Sequence, residues 1–111
     1  MFSIDKYFSS SFQEEQVDIV IKDETFCVRR LNGLDMIYLS ETKNAAQKII
    51  LILANCLFDG KTDKPIGTEN AMRFVREHLM LATEIATRIT ELGNELEREE
   101  KQIKRKAREN F

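Results

Sequence analysis

Residues Lys43 to Phe58, KNAAQKIILILANCLF, constrain the fold more than any other stretch. From Ile49 to Leu57 only Asn55 is strongly polar, so a helix here is apolar on nearly every side and needs cover from more than one direction. Such a helix would span roughly 24 Å, short of the roughly 30 Å hydrocarbon layer of a bilayer, and Lys48 interrupts it. The stretch therefore predicts a central core helix and no membrane association.

What covers that helix must come from the flanks. The chain has 111 residues, 42% apolar and 32% charged, which fits one domain with one modest core and a well-solvated exterior. The expected fold is mostly α within an α+β frame: a small helical domain with a short N-terminal β-hairpin packed on or beside the helices. Residues 1–15 form an N-terminal arm, 16–30 the hairpin, 32–93 the helical core and 94–111 a charged C-terminal helix or tail.

In the arm, Ile4, Phe8 and Phe12 recur four apart, which aligns them on one side of a short helix. Such an arm either lies over the core through its aromatics or serves as a recognition peptide. Gln16 to Lys22 then alternates, with Val17, Ile19 and Ile21 on one face. That is the period of a half-buried strand. Asp23 and Glu24 are placed to turn the chain, and Thr25 to Arg29 supplies a second strand. An isolated hairpin is marginal in water, so it leans on a helix or on a neighbouring subunit's sheet, where an open strand edge is a template for assembly.

At Asn32-Gly33-Leu34-Asp35 the sequence marks a helix start, with Asn32 capping and Asp35 reaching back to the Asn32 amide. Leu34, Ile37 and Tyr38 are the expected apolar side of that helix, which runs to about Thr42. Asp59 to Thr68, with Pro65, Gly60 and Gly67, reads as a surface loop. Thr68 then caps a helix that continues from Asn70 to Leu96, with a bend near Gly93-Asn94. Beyond it, Glu95 to Glu100 is acidic and Lys101 to Arg108 basic, the pattern of a solvated projecting helix with favourable i, i+4 pairs.

No motif reports a reaction. Gly60-Lys61-Thr62 has Asn55 where a phosphate loop needs glycine, and a helix where it needs a strand. Lys61 and Lys64 spoil a calcium loop begun by Asp59 and Asp63. His78 is the single histidine, with no cysteine nearby to share a metal, and no signature sets it beside a nucleophile. No catalytic, cofactor-binding or metal-binding residue is assigned. Cys27 and Cys56 sit among apolar neighbours and read as free, reduced thiols that behave as small hydrophobes. The first residues lack a basic region followed by an apolar run, so the chain is expected in a cytoplasm.

Two partner classes are left to weigh. A net charge of −2 gives no overall drive toward nucleic acid, although Lys101, Lys104, Arg105, Lys106 and Arg108 are suited to phosphate contacts in a small helical regulator. No aromatic interleaves them for base stacking. Along the last helix Ala82, Ile85, Ile89, Leu92 and Leu96 step by three and four, a heptad-like seam. That seam packs on the central helix or meets another protein; for the second role the candidate residues are Leu81, Ile85, Ile89, Leu92 and Leu96.

Taken in order, the arm FSIDKYFSSSF, the strand QVDIVIK, the start VRRLNGLD and the loop CLFDGKTDKPI resemble the tail assembly chaperones of long-tailed bacteriophages and prophages. The family pattern is an aromatic arm, a short β element, a leucine-threonine-glycine-x-glutamate type helix start, an apolar helix ending in an acidic-glycine loop, and further helices. Here Asn32 replaces the threonine and Asp35 the glutamate, and the capping chemistry survives both changes. The chain is expected to form a homo-oligomer, and the resemblance implies a non-enzymatic protein of the host cytoplasm. It would bind the tape-measure protein, keep it soluble and help recruit tail-tube subunits.

Overall fold

The computed structural model describes residues 2–7 and 15–93. After a short 3-10 helix, Ile4–Tyr7, the chain forms strands β1 (Val17–Ile21) and β2 (Glu24–Val28), then helices α1 (Gly33–Glu41), α2 (Ala45–Cys56) and α3 (Gly67–Glu77). A fourth helix, α4, occupies 79–93. The fold is thus mostly helical with an antiparallel hairpin on its N-terminal side. Among the described residues no helix is long and apolar enough to cross a membrane.

The hairpin closes through Ile21 opposite Glu24. Its turn is Lys22-Asp23, one residue earlier than the sequence suggests, and both residues have positive φ, 50° and 66°. Those angles belong to a type I′ turn, whose twist matches that of the flanking strands. Alternation puts Ile19 and Ile21 in the core, whereas Val17, expected on the same buried face, is 36% exposed where the strand begins. Beyond β2 the sheet is extended by single bridges from Val28 to Leu57 and from Phe58 to Pro65. These residues explain why α2 stops at Cys56 and not at Phe58: Leu57 and Phe58 are extended and bridge to their neighbours, with Phe58 N–H donating to the Cys27 carbonyl at 2.9 Å.

At its other end α2 begins two residues later than the apolar run suggests. The Asn44 carboxamide accepts from the amides of Ala46 and Gln47, a capping arrangement that also separates α1 from α2. Within α2 the cover is uneven. Ile52, Leu53, Ala54 and Cys56 are buried, Ile49, Ile50 and Leu51 are half-covered, and Ala45 to Lys48 are exposed. Helix α3 packs along α2, while α1 touches it only lightly.

The expected long final helix is instead two. His78 departs from helical geometry (φ −139°, ψ 55°), although its N–H still reaches the Phe74 carbonyl and its own carbonyl accepts from Ala82. Neither glycine nor proline marks that break, and Gly93, which the sequence suggests as a bend, is still helical. Thr68 does not cap α3. The position belongs to Ile66, without a side-chain hydrogen bond; Gly67, at φ +81°, supplies the left-handed turn that favours glycine. Ala82, Ile85, Ala86 and Ile89 of α4 complete the core with Ile19, Ile21, Val28 and the buried face of α2.

Candidate protein-binding surface

Helix α1 departs furthest from the pattern of a globular helix. Its sequence, GLDMIYLSE, is largely apolar, yet its one buried residue is Asp35. Leu39, one turn on from Asp35, is half-buried on the same side. At 3.6 residues per turn, Ile37 lies opposite that pair, with Leu34 and Tyr38 on one flank and Met36 on the other. All four are exposed: Leu34 58%, Met36 52%, Ile37 55% and Tyr38 48%. The residues expected to turn inward therefore face solvent, and the acidic residue takes the inner side.

Electrostatics explain that inversion. One Asp35 carboxylate oxygen accepts from the Arg29 guanidinium at 2.7 Å and from the Asn32 backbone amide at 3.0 Å. In return the Asn32 carboxamide accepts from the Asp35 amide at 2.9 Å, completing a capping box. Arg29 is itself fixed, its guanidinium donating to the Arg30 carbonyl at 3.0 Å and its backbone N–H to the Cys56 carbonyl at 2.9 Å. The end of the hairpin, the start of α1 and the end of α2 thus meet at one ion pair, its Asp35 buried and its Arg29 half-buried. Removing one member of such a pair leaves a charge without its partner, at a cost of about 3 kcal/mol or more. Among the described residues no buried side-chain nitrogen or oxygen lacks a partner.

The other sequence-derived candidates divide by depth. Ile85 and Ile89 are fully buried in the core, Leu81 and Leu92 are half-buried at its margin, and Leu96 lies outside the described residues. Within this chain the seam of α4 is thus turned inward where Ile85 and Ile89 stand. The basic run from Lys101 to Arg108, the candidate for phosphate contacts, also lies outside the described residues. Phe8 and Phe12 of the arm do too, while Ile4 is 49% exposed.

Two features escape sequence reasoning. Met72, Leu79 and Met80 are exposed on α3 and α4, Met80 at 76%, and flexible thioethers suit surfaces that adapt to varied partners. A groove of about 630 Å³ also opens between β2 and α3, lined by Phe26, Phe58 and Phe74 with Arg73, Glu77 and His78. The His78 ring packs against Phe74 at 5.6 Å. Among the described residues no three His, Cys, Asp or Glu converge as metal ligands.

The two thiols are free. Burial pushes Cys56 up to about 12, against a smaller opposing pull from the Arg29 charge. Cys27, half-buried, is also raised, first by burial and then by the charges of Asp18 and Asp63. Neither is an activated nucleophile, because activation needs a lowered pKa. No family model, curated protein or solved structure matches this chain.

Proposed function

We propose that this protein is a tail assembly chaperone of a long-tailed phage or prophage, acting in the host cytoplasm without catalysis. Its client is the tape-measure protein, and it helps recruit tail-tube subunits. The observation that supports the reading is the outer side of α1, where Leu34, Met36, Ile37 and Tyr38 are each about half exposed while Asp35 on the inner side is paired with Arg29. Taking about 200 Å² for a large side chain, the four offer roughly 400 Å² of contact. That is well below the ~800 Å² per partner of a stable standard interface. A surface of this size favours brief capture of an amphipathic helix over permanent association, and a long helical client exposes such stripes repeatedly.

The ion pair beneath the face matters for the same reason. It fixes α1 with only Leu39 of the helix's large apolar residues turned inward, so Leu34, Met36, Ile37 and Tyr38 stay available to a client. Co-expression of the full chain with a tape-measure fragment tests the reading: the fragment is expected to become soluble and to co-purify. An insoluble fragment with no co-purification would overturn it.

A further inference from the structure

The groove between β2 and α3 joins an apolar floor to an acidic rim. Phe26, Phe58 and Phe74 are half-buried along the floor, and its volume of about 630 Å³ suits a site that takes a bound group. Among the described residues its charged lining is Asp18, Glu24, Asp59 and Glu77 against Arg73, with His78 counted as neutral. Arg73 is already paired with Glu77, at 3.4 Å, and the other three carboxylates form no ion pair. Negative potential reaches the groove wall as well, since Asp18 and Asp63 add to burial in raising the Cys27 thiol. A partner for this groove needs an apolar side flanked by cations.

We infer that the occupant is residues 101–111 of the same chain, with Ile103, Ala107 and Phe111 on the phenylalanine floor and the basic residues against the acidic rim. Lys101, Lys104, Arg105, Lys106 and Arg108 supply five cations, and Glu109 is the only acid among these eleven residues. Ile103, Ala107 and Phe111 recur four apart, a spacing that gathers apolar side chains on one side and leaves the cations to flank them. The chain can make the return. Helix α4 begins beside the groove, just after His78, and carries the backbone roughly 22 Å away by residue 93 at about 1.5 Å per residue. Residues 94–107 reach up to roughly 46 Å when extended, twice that distance. Attachment to α4 also makes the contact intramolecular, which favours it over the same contact from a second copy. The basic run is thereby matched to an acidic groove of its own chain and is not held out for nucleic-acid phosphates. A client at α1 is not required.

A nitroxide attached at position 107 of the full chain, in Cys27→Ser/Ala107→Cys, tests this by magnetic resonance, because Cys56 is buried and escapes labelling. Amide signals of 25–27, 58–60 and 70–78 are expected to broaden more than those of any other described segment. Adding Lys104→Glu/Arg105→Glu/Lys106→Glu should lower the ratio of docked to free segment about tenfold or more, and about 1 M salt should weaken docking in the same direction. A mixture of spin-labelled chains with isotope-enriched, unlabelled ones should show no broadening. If the Cys27→Ser chain does not fold, the comparison of wild type with the triple charge reversal, both without a label, decides alone: the groove signals must move. Broadening centred elsewhere, broadening that appears in the mixture, or groove signals indifferent to the charge reversal would overturn the inference.

Discussion

Helices α1 and α4 are both rich in apolar residues, and they use them in opposite ways. In α4, Ala82, Ile85, Ala86 and Ile89 fall on one side and all of them are buried. In α1 Leu34, Met36, Ile37 and Tyr38 lie on the outer side, and the inner side belongs to Asp35 with Leu39. The comparison teaches that apolar content does not decide which residues form a core. Spacing decides it in α4, and an ion pair with Arg29 decides it in α1.

The largest effect should come from charging the buried side of α4. Ile89→Asp places an unpaired carboxylate in the core and is expected to abolish folding, and Ile85→Ala to cost about 2–5 kcal/mol in denaturant titrations. Next is the anchor of α1. Asp35→Ala deletes the ion pair and one half of the capping box and should cost about 3 kcal/mol. Asn32→Ala, which removes only the side-chain cap, should cost about 1 kcal/mol. Equal losses from the two would sever the link drawn between the ion pair and the position of α1.

Charging the outer side should do far less to stability. Ile37→Asp is expected to change it by no more than about 0.5 kcal/mol and yet to abolish co-purification of the tape-measure fragment. The thiols give a graded effect confined to alkaline pH. The folded chain keeps the Cys56 proton that the unfolded chain releases above its ordinary value near 9.0. Stability from this group is therefore whole below about pH 9 and is lost between about pH 9 and 12. Cys56→Ala should flatten that part of the stability curve, and at neutral pH alkylation should reach half-buried Cys27 before Cys56.

Much of the fold was legible because its signals are local. The Asn32 to Asp35 box is a four-residue pattern, and both of its hydrogen bonds form. Alternation located β1 and the apolar run located α2, each within two residues of its bounds. What was not legible depends on contacts between distant residues. Nothing in GLDMIYLSE says that its aspartate turns inward, because the cause is Arg29, held by the Cys56 carbonyl at the far end of α2. The break at His78 likewise occurs without glycine or proline. At the candidate surface the heptad-like spacing from Ala82 onward was a true signal of burial for Ile85 and Ile89, whereas the exposed face of α1 has no periodic signature.

Hydrogen exchange of the full chain with and without a tape-measure fragment compares the two helices in one measurement. A client seated on α1 predicts that amides of 33–41 exchange quickly in the free chain and slow markedly in the complex. Those of 85–89, already enclosed, should exchange slowly in both. Unchanged exchange in α1 alongside new protection elsewhere would contradict the assignment of that helix as the binding face.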